Sequence, residues 1–300
     1  MEHFLDLTDW STKELRELLQ LAVHLKTEWR AGGNKPVLQG KILGMVFQKP
    51  SLRTRVSFEV GMKHLGGDAI MLGPSEIGLG KRESIGDVAR VLSGYVDGIM
   101  ARVFDHEHVT GLAQYARVPV INGLSDYLHP CQAFADVLTI YENFGHLEGL
   151  RLAYIGDGNN VARSLLNAAA HFGIDFAIAS PVGYELPEAS NYPLHTEMML
   201  NTSHDPMKAV KEADVIYTDT WVSMGQEDEV AAREAKFDAF QVNAELLKNA
   251  HPDAIVMHCL PAHRGQEITD EVADGPQSVI FQQAENRLHA QKAILVKLLA

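Results

Sequence analysis

Apolar residues recur at helical spacing near the start of the chain. Leu15, Leu18, Leu19, Ala22 and Leu25 follow the capping-box sequence Ser11-Thr12-Lys13-Glu14, and Gly32-Gly33 stops the pattern. Beyond it the period changes. Short β-rich runs predict strands over 42–47, 69–72, 98–103 and 118–122, and each is followed by an amphipathic segment that predicts a helix, over 56–65, 85–92, 108–115 and 133–144. A second series opens with a strand over 152–155 and a helix over 161–172, then continues with strands near 176–179, 215–218, 255–258 and 279–281. The closing helix, about 285–299, is amphipathic, and periodicity alone lets it pack on either half. Strands and helices joined by short connections describe βα units, hence an α/β fold with two doubly wound parallel sheets in tandem. The predicted junction is Glu142-Asn143-Phe144-Gly145-His146, where a helix ends at a glycine, so the domains read as 1–144 and 145–284.

Length and charge narrow the function classes. A chain of 300 residues exceeds the usual single-core size, so two domains of roughly 150 residues are expected, with an active-site cleft between them. With 26 Lys+Arg against 39 Asp+Glu the formal charge is −13, which argues against a nucleic-acid or anionic-membrane partner. Any anionic ligand must be held by a local cluster of arginines. Cys131 and Cys259 are too few for a disulfide framework, which points to the reducing cytoplasm. The N-terminal MEHFLDLTDW lacks the basic region and apolar run of a targeting segment. No apolar stretch approaches the ~18 residues a membrane span needs.

In parallel α/β sheets, ligands bind beyond the carboxyl ends of the strands, so the strand-to-helix loops carry the candidate chemistry. The first is Pro50-Ser51-Leu52-Arg53-Thr54-Arg55. Ser51 can cap the helix, whose free N–H groups make an anion site, and Arg53, Thr54 and Arg55 add donors suited to the several oxygens of a phosphate. The competing reading is a capped helix with its arginines in solvent. Arg102 ends the third strand and projects at the same sheet edge. His129-Pro130-Cys131-Gln132 opens a helix after the fourth strand, with an imidazole and an amide able to polarise a carbonyl; a turn histidine is the alternative.

In the second half, Gly156-Asp157-Gly158-Asn159-Asn160-Val161 superficially suggests a dinucleotide site. The fingerprint is incomplete: Val161 stands where Gly or Ala is wanted, and the strand ending near Ser180 has no acid for a ribose. Asparagines here suit a polar zwitterion better, and no P-loop sequence is present. Thr218-Asp219-Thr220-Trp221-Val222-Ser223-Met224-Gly225 combines a carboxylate, a hydroxyl and a hinge glycine, able to hold an ammonium group and close over it, or else to form a capped surface turn. In His258-Cys259-Leu260-Pro261-Ala262-His263-Arg264-Gly265 the basic neighbours can lower the thiol pKa from about 8.5. A buried cysteine and an H-C-x3-H metal site compete with that, although a structural zinc site wants four ligands and no second Cys pair exists.

Taken together, SLRTR, HPCQ, DTWVSMG and HCLPAHRG, in this order, resemble the transcarbamylase family over nearly the whole chain, and DTWVSMG is similar to its ornithine-using branch. Aspartate-using members are similar in the first two motifs but lack the SMG loop; putrescine-using members are nearer. The resemblance implies two α/β domains, the first binding carbamoyl phosphate and the second the amino acid, with 285–300 packing back on the first. It implies phosphate contacts from Ser51, Leu52 through its main chain, Arg53 and Thr54. It implies carbamoyl contacts from Arg102, His129, Pro130, Cys131 and Gln132, with Cys259, Leu260 and Arg287 closing the site. Asn160, Asp219, Ser223 and Met224 match the ornithine contacts. Arg102, His129, Asp219 and Cys259 are the implied catalytic residues. One departure is Glu76, which stands where many ornithine enzymes carry Gln; a carboxylate beside a dianion is repulsive, so that contact is not carried over.

The implied reaction moves a carbamoyl group from carbamoyl phosphate to the side-chain amine of L-ornithine, giving citrulline and phosphate in arginine metabolism, with no cofactor and no metal. The resemblance further implies a homotrimer or a multiple of trimers, residues 73–84 reaching a neighbouring subunit's site, and a cis Leu260–Pro261 bond. Two alternatives remain: transfer to another amine such as putrescine, or a non-catalytic homologue that binds carbamoyl phosphate or an amino acid.

Overall fold

In this computed structural model residues 2–80, 82–187, 198–222 and 230–300 are described. The first helix starts where its sequence demands: Ser11 Oγ accepts the Glu14 N–H at 3.2 Å while the Glu14 carboxylate accepts the Ser11 N–H at 2.9 Å. Helix α1 then runs Thr12–Arg30 with its leucine stripe buried.

The chain divides into two compact units, Met1–Leu138 with Glu285–Ala300, and Thr139–Ala284. The first unit carries β1 (Ile42–Phe47), α2 (Leu52–His64), β2 (Asp68–Leu72), α3 (Pro74–Ile77), α4 (Ile85–Leu92), β3 (Gly98–Arg102), α5 (His106–Tyr115), β4 (Val120–Leu124) and the start of α6 (Pro130–Phe144). The second carries β5 (Arg151–Ile155), α7 (Asn160–Phe172), β6 (Asp175–Ala179), β7 (Leu200–Ser203), α8 (Pro206–Ala209), β8 (Val215–Thr218), α9 (Val230–Phe237), α10 (Ala244–Leu247), β9 (Ile255–His258) and α11 (Asp270–Ala273). Helix α12 (Ile280–Leu299) begins in the second unit and continues into the first. Both divisions therefore fall inside helices, whereas the sequence pattern puts the first boundary where α6 ends. Within the first unit, Lys26 Nζ donates to Asn286 Oδ1 at 2.6 Å, and Gly61 of α2 faces Leu288, Lys292 and Leu295 of α12.

Each sheet is parallel throughout, in the orders β2-β1-β3-β4 and β7-β6-β5-β8-β9. Strands β1, β3, β5, β8 and β9 are buried along nearly their whole length. Parallel strands covered on both faces read as unbroken apolar runs, which is why alternation is absent from their sequences. The strand order reverses direction between β1 and β3 in the first sheet and between β5 and β8 in the second. Such switch points open a crevice at the strands' carboxyl ends.

In the sheets, three stretches differ from expectation. The strand expected at 279–281 is the start of α12: the chain pairs with β9 at the isolated Val256–Ser278 bridge, and Gln283 N–H then donates to the Val279 carbonyl at 2.8 Å. The fourth strand begins at Val120 rather than 118, because Pro119 has no N–H for the ladder. Strand β7, Leu-Asn-Thr-Ser, is a sheet edge whose mostly polar sequence carries no strand signal. Among the described residues no helix is long and apolar enough to cross a membrane.

Candidate active site

At the switch point of the first sheet, the loops after β1 and β3 bring cations together. Ser51 caps α2, its Oγ accepting the Thr54 N–H at 3.3 Å, so the helix starts at Leu52, four residues before the expected position. Leu52 is exposed, and the free N–H groups and dipole of this first turn favour an anion. Arg102 ends β3 at a register shift against β4, an irregularity that re-aims a side chain. Its Nη1 donates to the buried Thr54 Oγ1 at 3.4 Å. Arg287, from α12, donates through Nη2 to the same oxygen at 3.0 Å and through Nη1 to Gln132 Oε1 at 2.8 Å. Thr54, Arg102, Gln132 and Arg287 thus form one buried polar cluster.

His129 precedes α6 and is buried. Burial first, then the positive charges of Arg287, Arg102, Arg53 and Lys49, hold its pKa well below the usual histidine value, so the imidazole is neutral. That sensitivity brings Arg53 into the same electrostatic group and adds Lys49, which the sequence pattern did not single out. Lys49 is buried, its Nζ lies 4.4 Å from the Phe104 ring centroid, and burial followed by the Arg102 charge lowers its pKa. Its position between a strand end and Pro50-Ser51 was the available signal. Cys131 follows His129 and Pro130, on α6. Its buried thiol donates to the Asn122 carbonyl at 3.3 Å, and burial pushes its pKa up to about 12.

At the switch point of the second sheet, Asp219 follows β8 and is buried. Its Oδ2 accepts from Asn159 Nδ2 at 2.9 Å, and its Oδ1 accepts from the Thr220 N–H at 2.8 Å and from the Cys259 thiol at 2.9 Å. Asn159 also caps α7, its Oδ1 accepting the Val161 and Ala162 N–H groups, while Asn160 begins that helix. Asn159 therefore fixes the Asp219 carboxylate. Gly158 is required beside it because a Cβ would meet the main chain of Glu185 and Leu186. Tyr154 reaches Asn159 Oδ1 at 3.3 Å; burial, then the Asp219 and Cys259 charges, raises its pKa, so the phenol stays protonated.

After β9, Cys259 begins a turn whose Leu260–Pro261 peptide is cis. The turn is clasped from one end by His258 and Glu267, both fully buried. His258 Nε2 meets Glu267 Oε1 at 3.0 Å, and the Leu260 N–H donates to His258 Nδ1 at 2.9 Å. The Glu267 carboxylate also accepts the His263 N–H at 2.5 Å. Asp219, His258 and Cys259 bring ligand-type atoms within 4.8 Å of one another. Both nitrogens of His258 are already engaged, Nδ1 as an acceptor, so its lone pair is committed to the Leu260 N–H and the trio does not fit a metal. Ser223 and Met224 lie outside the described residues.

Residues 2–142 match the family described as "Aspartate/ornithine carbamoyltransferase, carbamoyl-P binding domain", and residues 148–298 match "Aspartate/ornithine carbamoyltransferase, Asp/Orn binding domain". An ornithine carbamoyltransferase from Pyrococcus abyssi is 54% identical over 298 residues, covering 98% of this chain and 94% of that protein. The solved ornithine carbamoyltransferase of Pyrococcus furiosus superposes with a TM-score of 0.96 at 52% identity, covering 99% of this chain and 97% of the other. That of Thermus thermophilus gives 0.90 at 47% identity, covering 99% and 98%.

Proposed function

The chain belongs to the aspartate/ornithine carbamoyltransferase family, and from that premise we propose that it transfers the carbamoyl group of carbamoyl phosphate to the δ-amine of L-ornithine, giving L-citrulline and phosphate. The observation that carries the first substrate is the double donation of Arg102 and Arg287 to Thr54 Oγ1 at the N-terminus of α2. In an otherwise acidic chain, a buried guanidinium pair beside a helix N-terminus suits a phosphate dianion. In this reading the phosphate lies among Ser51, the Leu52 main chain, Arg53 and Thr54. Arg102 and neutral His129 donate to the carbonyl oxygen, Gln132 meets the amide, and Pro130 and Cys131 contribute main chain. The first unit, Met1–Leu138 with Glu285–Ala300, is then the carbamoyl phosphate domain, and Thr139–Ala284 the ornithine domain.

Ornithine is read onto Asn160, Asp219, Ser223 and Met224. The neutral δ-amine attacks the carbonyl carbon, a C–N bond forms, and the C–O bond to phosphate breaks. The proton leaves the new amide nitrogen for the Asp219–Cys259 pair, whose 2.9 Å hydrogen bond supports its movement between sulfur and carboxylate. Fixed donors at the developing oxyanion and the departing phosphate supply the stabilisation, a few kcal/mol for each in typical sites.

A homotrimer, or a multiple of trimers, and a cytoplasmic location belong to the same proposal. The assembly is supported by large apolar side chains exposed on the first unit, Leu52 and Val56 on α2 and Ile70 on the edge strand β2, and the location by two free cysteines. Residues 73–84, of which Lys81 lies outside the described set, are read as reaching a neighbouring copy. A fully active monomer in sedimentation would overturn the trimer. The reaction itself is tested by colorimetric ureido detection with carbamoyl phosphate and, in parallel, ornithine, putrescine, acetylornithine or aspartate. Ornithine alone is expected to react efficiently. Preference for putrescine would reassign the acceptor, and no product with any amine would overturn the enzyme.

A further inference from the structure

Asp136 lies on α6 one turn after Gln132, and both are buried. Gln132 Nε2 donates to Asp136 Oδ1 at 2.8 Å, while Gln132 Oε1 accepts from Arg287 Nη1 at 2.8 Å. The two neighbours are opposites. An ionised carboxylate only accepts, and a guanidinium only donates. Rotating the amide by half a turn would set its oxygen against the carboxylate and its nitrogen against the guanidinium, breaking two charge-assisted hydrogen bonds at once. The amide is therefore held in one orientation. After these two bonds it keeps one lone pair on Oε1 and one N–H on Nε2 for other partners.

We propose that Asp136 is a positioning residue for the carbamoyl group: by fixing the Gln132 amide, it aims the remaining Oε1 lone pair at the ligand's NH2 and so makes the site select a carbamoyl ester over other acyl phosphates. The proposal rests on the carbamoyl phosphate reading of this cluster. Arg102, Arg287 and the α2 N-terminus attract any phosphate, so they do not distinguish acyl groups. An acceptor held toward the acyl substituent does, because acetyl phosphate carries a methyl where carbamoyl phosphate carries two N–H donors. A free amide could turn its own N–H toward either ligand; a locked one cannot.

The test compares wild type with Asp136→Asn, whose side-chain amide can present either an oxygen or a nitrogen to Gln132. Calorimetry measures the affinities of the folded protein for carbamoyl phosphate, acetyl phosphate and inorganic phosphate. Wild type is expected to prefer carbamoyl over acetyl phosphate. In Asp136→Asn carbamoyl phosphate should weaken by about 10- to 100-fold, the scale of one misdirected buried hydrogen bond, while the other two ligands change by less than about threefold. The KM for ornithine should stay near the wild-type value. Equal weakening of all three ligands would show a merely structural role and overturn the proposal, as would an unchanged carbamoyl-to-acetyl ratio. Should Asp136→Asn fail to fold, Gln132→Met, which removes the amide at similar volume, takes its place: a wild-type ratio in that variant overturns the proposal. Wild type that binds phosphate but not carbamoyl phosphate would overturn the functional reading and this inference together, whereas loss of the variant effect alone would remove only Asp136.

Discussion

The Arg233–Asp157 pair ties two site loops of the second unit together, and its removal should be costly. Arg233 Nη1 meets Asp157 Oδ2 at 2.6 Å with the side chains only 6% and 13% exposed. The same nitrogen donates to the Trp221 carbonyl at 3.0 Å, and the guanidinium carbon stands 4.8 Å from the Tyr184 ring centroid. Asp157 follows β5, and Trp221 follows β8 just beyond Asp219. Asp157→Leu removes the buried carboxylate that Arg233 Nη1 meets, a change worth about 3–5 kcal/mol. For a domain of this size each kcal/mol moves Tm by about 2–4 °C, so the drop should be roughly 6–20 °C. Arg233→Met removes the other member of the pair and should cost a similar amount. The double variant buries neither charge and fills the space with apolar atoms, so it should recover most of the loss, with a coupling energy of at least about 2 kcal/mol. The chain has three tryptophans, and only Trp221 belongs to the second unit. A Trp10→Phe, Trp29→Phe background therefore makes urea-induced fluorescence change report that unit alone. Single costs below about 1 kcal/mol, or costs that simply add in the double variant, would show that the pair is screened and does not hold the loops.

Three further outcomes are expected. Arg53→Ala should retain the fold and lose roughly 100- to 1000-fold in kcat/KM, the scale of a lost oxyanion or phosphate donor; an unchanged affinity for carbamoyl phosphate in calorimetry would remove Arg53 from the site. One thiol, Cys259, should react with a disulfide reagent in the native protein, and Cys131, with its pKa pushed up to about 12 by burial, only after unfolding; two native thiols reacting at equal rates would contradict the geometry at Asn122. Burial lowers the Lys292 pKa from 10.5 to about 8. The native state then sheds this proton before the unfolded chain does, so relative to Lys292→Met the wild type should gain stability as pH rises through that window, by up to about 1.4 kcal/mol per pH unit. Parallel stability curves for the two proteins between about pH 7 and pH 10 would refute the assignment.

The βα architecture was legible because buried parallel strands and their covering helices differ in period, and several predicted bounds coincide with the fold, as at Ile42–Phe47, Ile85–Leu92, Val215–Thr218 and Ile255–His258. Val279-Ile280-Phe281 misled because a β-branched apolar run has the same composition at a strand and at the first turn of a buried helix. On the site side, the strand-to-helix loops drew attention to Ser51, Arg53, Arg102, His129 and Asp219. The residues that orient them were hidden. Glu267 lies nine positions beyond His258 and meets it only in the folded chain. Asp136 had a local signal: with Gln132 it makes a polar i, i+4 pair on a helix otherwise buried through Ala133, Phe134, Ala135, Val137 and Leu138. A polar pair at helical spacing inside an apolar face has to be satisfied internally, and that requirement marks it as part of a network.

The charge balance of the chain carries the last step. A formal charge of −13 gives no long-range help to an anionic substrate. What attracts it in the proposed site is short-range and assembled from distant stretches: Lys49 and Arg53 from the loop after β1, Arg102 from the end of β3, and Arg287 from α12, more than 180 positions later by numbering. Cations so placed oppose one another, and the opposition is visible in the lowered pKa of Lys49, to which Arg102 contributes, and of His129, to which all four contribute. Burial is the larger cause of both shifts; a phosphate dianion acts against the charge contributions, because opposite charge favours the protonated form. Repulsion among the cations is therefore relieved by the dianion proposed to bind there. The neutral state of His129 follows from the same arrangement, and it leaves the imidazole able to donate one hydrogen bond to a carbonyl without adding a further positive charge to a site that already carries four.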